Sequence, residues 1–244
     1  MRFTTSTSIA LLTIAAAFSP ASALPSSSYS PCRVKYNFDS SNPLDMDLRS
    51  FALTLQQGSA CAYDQVHTAS TTFAAYAQQG ASLAVAGAAS GASTVESNAQ
   101  AAALAGSQYA QQFAAEVAAS YTYLARLYGQ AKTFFATYET QLAASDVGQA
   151  VASFQALYLA TCKALADFKP YAPFMTSAQR AVRDLDAAEA DFTSSLQRYG
   201  GKVYARVQPV AGDAEQALGE MVGAMRKGEQ AVKNLGKDAV GVQV

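Results

Sequence analysis

Val117, Tyr121, Leu124, Tyr128, Ala131, Phe135, Tyr138 and Leu142 follow one another in strictly alternating steps of four and three. Such a row forms one stripe of an α-helix at about 3.5 residues per turn, and it is buried only against near-parallel helices. Two further rows keep the same rhythm. One is Val147, Val151, Phe154, Tyr158, Thr161, Leu165 and Phe168. The other is Ala178, Val182, Leu185, Phe192, Leu196 and Tyr199, with Glu189 the one charged residue in register. Looser rows flank them: Leu44, Leu48, Phe51 and Leu55, then Val66, Phe73 and Tyr76, and near the C-terminus Leu218, Met221, Met225, Val232 and Leu235. With 53 alanines and no tryptophan, the pattern predicts an all-α chain. The expected architecture is an elongated antiparallel helical bundle of four to five main helices with an N-terminal extended strap. No repeat of 20–50 residues is evident, which disfavours a solenoid.

Turn chemistry sets the expected boundaries. Gly58 is expected to end the first helix, and a second is expected over 59–79. Ser93-Thr94-Val95-Glu96 reads as a capping box opening a helix that, if continuous to Ala144, would be about 75 Å long. Ser145-Asp146 caps the next helix. Lys169–Phe174, with two prolines, stops it, and Thr176 with Gln179 restarts the chain. Gly200-Gly201 breaks or kinks it, and Asp213 with Gln216 is expected to open the last helix.

The N-terminus has a different composition. Arg2, the apolar run Ile9–Phe18 and Ala21-Ser22-Ala23 match a secretory signal peptide cleaved after Ala23, too short to span a bilayer. The expected organisation is therefore a signal peptide over 1–23, a Ser/Pro-rich strap over 24–43, a single helical-bundle domain over 44–236 and a flexible tail over 237–244. Export predicts an extracellular, oxidising compartment for Cys32, Cys61 and Cys162. Three cysteines allow one bridge, with Cys32–Cys61 the favoured pair, and the remaining thiol permits a homodimer.

Catalytic sets are scarce. The sequence carries no Gly-x-Ser-x-Gly elbow, Walker loop or His-Glu-x-x-His, and His67 is its sole histidine. The cysteine spacing matches no zinc pattern. Asn37–Asp47 alternates oxygen ligands without the turning glycine or final glutamate of a calcium loop, so Asp45 reads as a helix N-cap. Asp184, Asp186, Glu189 and Asp191 spread around a helix, where pairs such as Arg180–Asp184 account for them. The expectation is a non-enzyme without cofactor or metal. If the chain were an enzyme, Arg126, Lys132, Glu139 and Arg180 would be its polar set. With 17 basic and 18 acidic side chains the chain has no basic excess for nucleic acid.

Charge distribution is the remaining signal. Between Gln65 and Ala115 the sole formal charge is Glu96, whereas Lys163–Asp238 holds 21 of the 35 charged side chains. A solvated helix pair normally carries several charges. The poor segment therefore predicts contact with an apolar ligand, lipid, hydrophobic surface or protein partner. Within it, Gly80–Ser93 reads in three ways: a connection between helices, a close-packed helix, or a membrane-seeking tip. Leu83, Val85, Gly87 and Gly91 would make the apolar contact. The third layout resembles long-helix α-pore-forming toxins, with an apolar head between helices. Three functions follow: a secreted non-catalytic binding protein using the charge-poor helical face, a membrane-active or pore-forming protein, or a secreted effector-type protein recognising a host or neighbouring-cell protein.

Overall fold

Five α-helices follow one another along the described part of the chain: α1 (Leu48–Gly87), α2 (Gln108–Ala144), α3 (Gly148–Phe168), α4 (Gln179–Tyr199) and α5 (Gly201–Val240). The computed structural model describes Cys32 and residues 48–87, 108–144 and 148–240. Its side-chain description covers 50–76, 109–137 and most of 148–231. Between α3 and α4 the chain makes two short 3₁₀ turns, Ala172–Phe174 and Thr176–Ala178, where the prolines stop the α-helix. All described residues belong to one compact unit, Cys32–Val244.

Consecutive helices run antiparallel. Phe73 of α1 stacks on Phe113 of α2 with centroids 4.6 Å apart, while Phe51 stacks on Phe134 at 3.8 Å. The alternation makes α1, α3 and α5 parallel to one another. Accordingly Gln56 reaches Ser153 and His67 reaches Asp167, while Gln155 of α3 and Lys169, just past its end, reach Arg206 and Glu220 of α5. Each helix packs mainly against two others, in the closed order α1, α2, α4, α5, α3 and back to α1. The centre is filled by fully buried Tyr121, Tyr128, Phe154, Tyr158, Phe168 and Phe192. The expected all-α bundle is thus the observed one.

Among the described side chains, most members of the rows that predicted the helices are buried. Val117 through Phe135 of α2 and Val151 through Phe168 of α3 are inside without a miss. Tyr199 is a correction: it ends its row 54% exposed, where α4 runs out at Gly200.

Two expected breaks are also corrected. Gly58 does not end a helix; α1 passes through it. The buried row continues as Leu55, Ser59, Ala62, Val66, Ala69 and Phe73. The small residues mark a close approach instead. A Cβ on Gly58 would meet the Tyr123 hydroxyl at 2.8 Å and the Leu127 methyls at 3.2 and 3.3 Å. Asp213 likewise opens nothing. α5 begins at Gly201, whose φ of +34° is the left-handed turn between α4 and α5. It carries Pro209 in its interior. The buried row Val203, Val207, Ala211, Ala214, Leu218, Met221 and Met225 holds α5 together across the proline, whose ring faces solvent.

α5 also extends to Val240, so the flexible tail expected from 237 is helical at its start. Gly80–Gly87 is helical backbone continuous with α1. Gly91, the Ser93 capping box, the Ser145-Asp146 cap, Asn37–Asp47, the signal peptide and the strap apart from Cys32 lie outside the described residues.

The glycines yield a paired prediction. Gly129 has nothing within 4 Å of an added Cβ, so Gly129→Ala should gain about 0.5–1 kcal/mol from helix propensity. Gly58→Ala should gain nothing, because displacing the Tyr123 hydroxyl offsets that term. Urea unfolding of the two variants checks this; equal gains would show that α1 and α2 do not touch at Gly58.

Candidate functional site

Two features of the bundle bear on function, one on its surface and one inside. The surface feature arises because the charge-poor stretches of α1 and α2 are paired with each other. Phe73 and Phe113 form the inner contact, and Tyr76 lies 4.1 Å from Tyr109, centroid to centroid. Outward, α1 exposes Thr68, Thr71, Thr72 and Ala75, and α2 exposes Gln111, Gln112, Ala115, Ala119 and Thr122. None carries a formal charge. Two of the four threonine hydroxyls are turned back onto the helix: Thr71 donates to the His67 and Thr68 carbonyls, and Thr122 donates to the Ala118 carbonyl. A threonine bonded to its own helix presents mainly its methyl group to the outside.

Polar contacts border this face. His67 Nδ1 lies 2.8 Å from Asp167 Oδ2 at the α1–α3 seam. Lys163 lies 5.6 Å from the ring centroid of Tyr63 on the same seam. On α2, Gln112 donates to half-buried Glu116. By contrast, α4 exposes Arg180, Arg183, Asp184, Asp191 and Arg198, and α5 exposes Lys202, Arg206, Asp213, Glu215 and Glu220. The sequence asymmetry therefore becomes a spatial one.

The interior feature is a set of polar groups in the aromatic core. Tyr121 donates to the Ala164 carbonyl at 3.1 Å, and Tyr128 donates to Thr161 Oγ1 at 3.1 Å. Tyr158 and Thr193 hydroxyls lie 2.7 Å apart, and Thr193 donates to Glu189 Oε1 at 2.7 Å. Neighbouring helices thus satisfy the tyrosine hydroxyls that the apolar rows leave inside. Burial pushes the Tyr121 and Tyr128 phenols well above their ordinary range and raises Tyr158 too. Burial likewise pushes the half-buried Cys162 thiol up to about 11, with Asp213 adding to the shift. A thiol held protonated is a poor nucleophile.

The remaining sequence candidates are dispersed. Cys32 and Cys61 are bridged, with S–S 2.10 Å, and the bridge ties residue 32 to the first half of α1. Lys132 pairs with Asp191, Arg180 lies 3.9 Å from Asp184 on an exposed face, and Arg126 is exposed beside Tyr123. Among the described residues these three form no hydrogen bond or ion pair with one another. The Glu139 side chain lies outside them. Glu189 departs from the acidic run it belongs to: its neighbours are solvated, while it is 1% exposed. Its place in register with Leu185 and Phe192 was the signal for that. Among the described residues no three His, Cys, Asp or Glu side chains gather into a metal-binding group.

Leu83, Val85 and Gly87 lie on the last turns of α1, and their side chains are outside the description. Among the described residues no helix is long and apolar enough to cross a membrane. The chain matches no family model, no curated protein and no solved structure.

Proposed function

We propose that this chain is a secreted, non-catalytic binding protein that holds an apolar ligand or surface against the outer face of the α1–α2 pair. One observation carries the reading: Thr68, Thr71, Thr72, Ala75, Gln111, Ala115, Ala119 and Thr122 form an exposed face without formal charge, in a bundle whose α4 and α5 surfaces are densely charged. Bringing an uncharged threonine-alanine face onto an apolar surface removes apolar area from water without stripping ions of their hydration. The α4 and α5 faces would have to desolvate their charges to do the same. The Cys32–Cys61 bridge suits an oxidising compartment.

The test is retention of the folded protein on alkyl-coated particles, with dye-loaded phosphatidylcholine vesicles in parallel. Thr68→Lys, Thr72→Lys and Gln111→Lys together should weaken retention about ten-fold or more, equivalent to about 1.4 kcal/mol. Their exposure means helix content and melting should stay unchanged. Lys202→Glu on α5 should leave retention as it was. Equal retention by the triple variant would overturn the assignment of the face. Dye release that Gly87→Asp abolishes would replace binding with the membrane-active function.

A further inference from the structure

Glu189 occupies a core position where α3, α4 and α5 meet. Its side chain is 1% exposed, and it accepts a hydrogen bond from Thr193 Oγ1 at 2.7 Å. Thr193 has a single hydroxyl proton, so in the adjoining 2.7 Å contact the Tyr158 hydroxyl is the donor. The chain of bonds therefore runs Tyr158 to Thr193 to Glu189. One hydroxyl is weak compensation for a carboxylate taken out of water.

The groups around it do not supply a counter-charge. Glu215 of α5 and Asp186 of α4 both disfavour its ionisation. From α3 it faces Tyr158 and Cys162, and from α2 Tyr128. Behind these, α5 places Tyr204 near Tyr158 and Asp213 near Cys162. None of these groups is a cation. Burial, with the two carboxylates adding to it, pushes Glu189 up to about 7, although the Thr193 bond pulls the other way.

The adjoining stretch of α5 has two points where regular helix is weakened. It starts at Gly201 in a left-handed conformation and carries Pro209, which removes one helical hydrogen bond. A groove of about 400 Å³ runs along it, lined by Thr193, Tyr204, Gln208, Pro209, Asp213 and Glu215. Thr193, which lines that groove, is the residue hydrogen-bonded to the Glu189 carboxyl.

We propose that Glu189 is a pH-operated latch on the α3–α4–α5 junction: protonated, it lets the first half of α5 close over α4, and ionised, it loosens that half-helix around Pro209. The direction follows from linkage. The folded chain holds this proton more tightly than the unfolded chain, whose glutamate titrates at its ordinary 4.5. The stabilisation is therefore complete below pH 4.5 and is lost as pH rises through about 7. An ionised Glu189 gains by reaching water through the groove and by moving away from Glu215.

Amide hydrogen exchange on the intact chain, corrected for intrinsic rates, tests the latch at about pH 5 and about pH 8. The local-opening equilibrium of residues 201–215 should rise roughly thirty-fold or more at the higher pH, with a ceiling of about seventy-fold between these two pH values set by the displacement of the titration. Segments of α1 and α2 should not follow. Glu189→Gln, neutral at both values, should abolish the difference. If that variant does not fold, Glu215→Gln serves instead, and removal of one repelling carboxylate should shrink the rise in opening between the two pH values relative to the parent. That is because easing Glu189 ionisation in the closed state removes part of the drive to open. Equal protection of α5 at both pH values in the parent chain, or a pH response that survives Glu189→Gln, overturns the proposal.

Discussion

Phe192→Ala should lower the stability of the bundle by about 3–5 kcal/mol, the range for deleting a buried aromatic ring whose site cannot collapse. The ring is fully buried on α4 and lies 5.1 Å from Phe154, 5.9 Å from Tyr128 and 6.0 Å from Tyr158, centroid to centroid. Its removal opens a void shared by α2, α3 and α4 and leaves the Tyr158–Thr193–Glu189 bonds without their apolar neighbour. Urea unfolding should show a lower midpoint with little change in slope. Tyr199→Ala, on the same helix but 54% exposed, is the control and should cost no more than about 0.5 kcal/mol. A Phe192 variant as tolerant as the Tyr199 one would mean that the three helices do not share this core.

Gly228→Ala should be the most damaging of the glycine-to-alanine changes on α5, at about 2–3 kcal/mol. Gly228 takes the next place in the buried row after Met221 and Met225, where the chain between α3 and α4 crosses α5. An added Cβ would stand 2.6 Å from both the Pro173 carbonyl carbon and its Cα, and nearer still to the carbonyl oxygen. Backbone cannot swing aside as a side chain can, so either α5 or the 3₁₀ turns must shift. Gly219 and Gly223 are the controls on the same helix, with nothing within 4 Å of an added Cβ. Each should instead gain about 0.5–1 kcal/mol as alanine. Thermal unfolding should therefore move in opposite directions for Gly228 and Gly219. A stabilised Gly228→Ala would place α5 away from Pro173.

Sequence periodicity was enough to identify the helices because a buried stripe and a helical repeat are the same physical constraint. The strict rows of α2 and α3, from Val117 to Phe135 and from Val151 to Phe168, lie in the core. Reading Gly58-Ser59 and Asp213 as boundaries failed for one reason. Continuity of the buried stripe outweighs local turn chemistry, and the stripe runs on through Ser59 and Ala62 in α1 and through Ala211 and Ala214 in α5. Small residues on a stripe have two uses, to end a helix or to admit a neighbour. The sequence alone does not contain the neighbour: Tyr123 at Gly58 and Pro173 at Gly228 are distant in the chain. The sequence favours the Cys32–Cys61 pairing that the structure bridges, although Cys61 lies within a helix and not after a break.

The two candidate functional features differed in legibility. Absence of charge between Gln65 and Ala115 was plain in the sequence, but its spatial meaning needed the antiparallel pairing that sets Phe73 on Phe113. Glu189 stood out as the charged member of an apolar row. Its hydroxyl partners did not, because Thr193 lies one position beside the row and Tyr158 comes from another helix. Row membership identifies which residues go inside, and only the packing of the rows shows what they meet there.

The face assigned to binding is tested most directly by hydrogen exchange of the folded chain, free and adsorbed on alkyl-coated particles. The account predicts added protection in residues 65–87 and 108–122, with α4 and α5 exchanging as they do in solution. Protection concentrated on α4 and α5, or loss of protection throughout the bundle on adsorption, would contradict it.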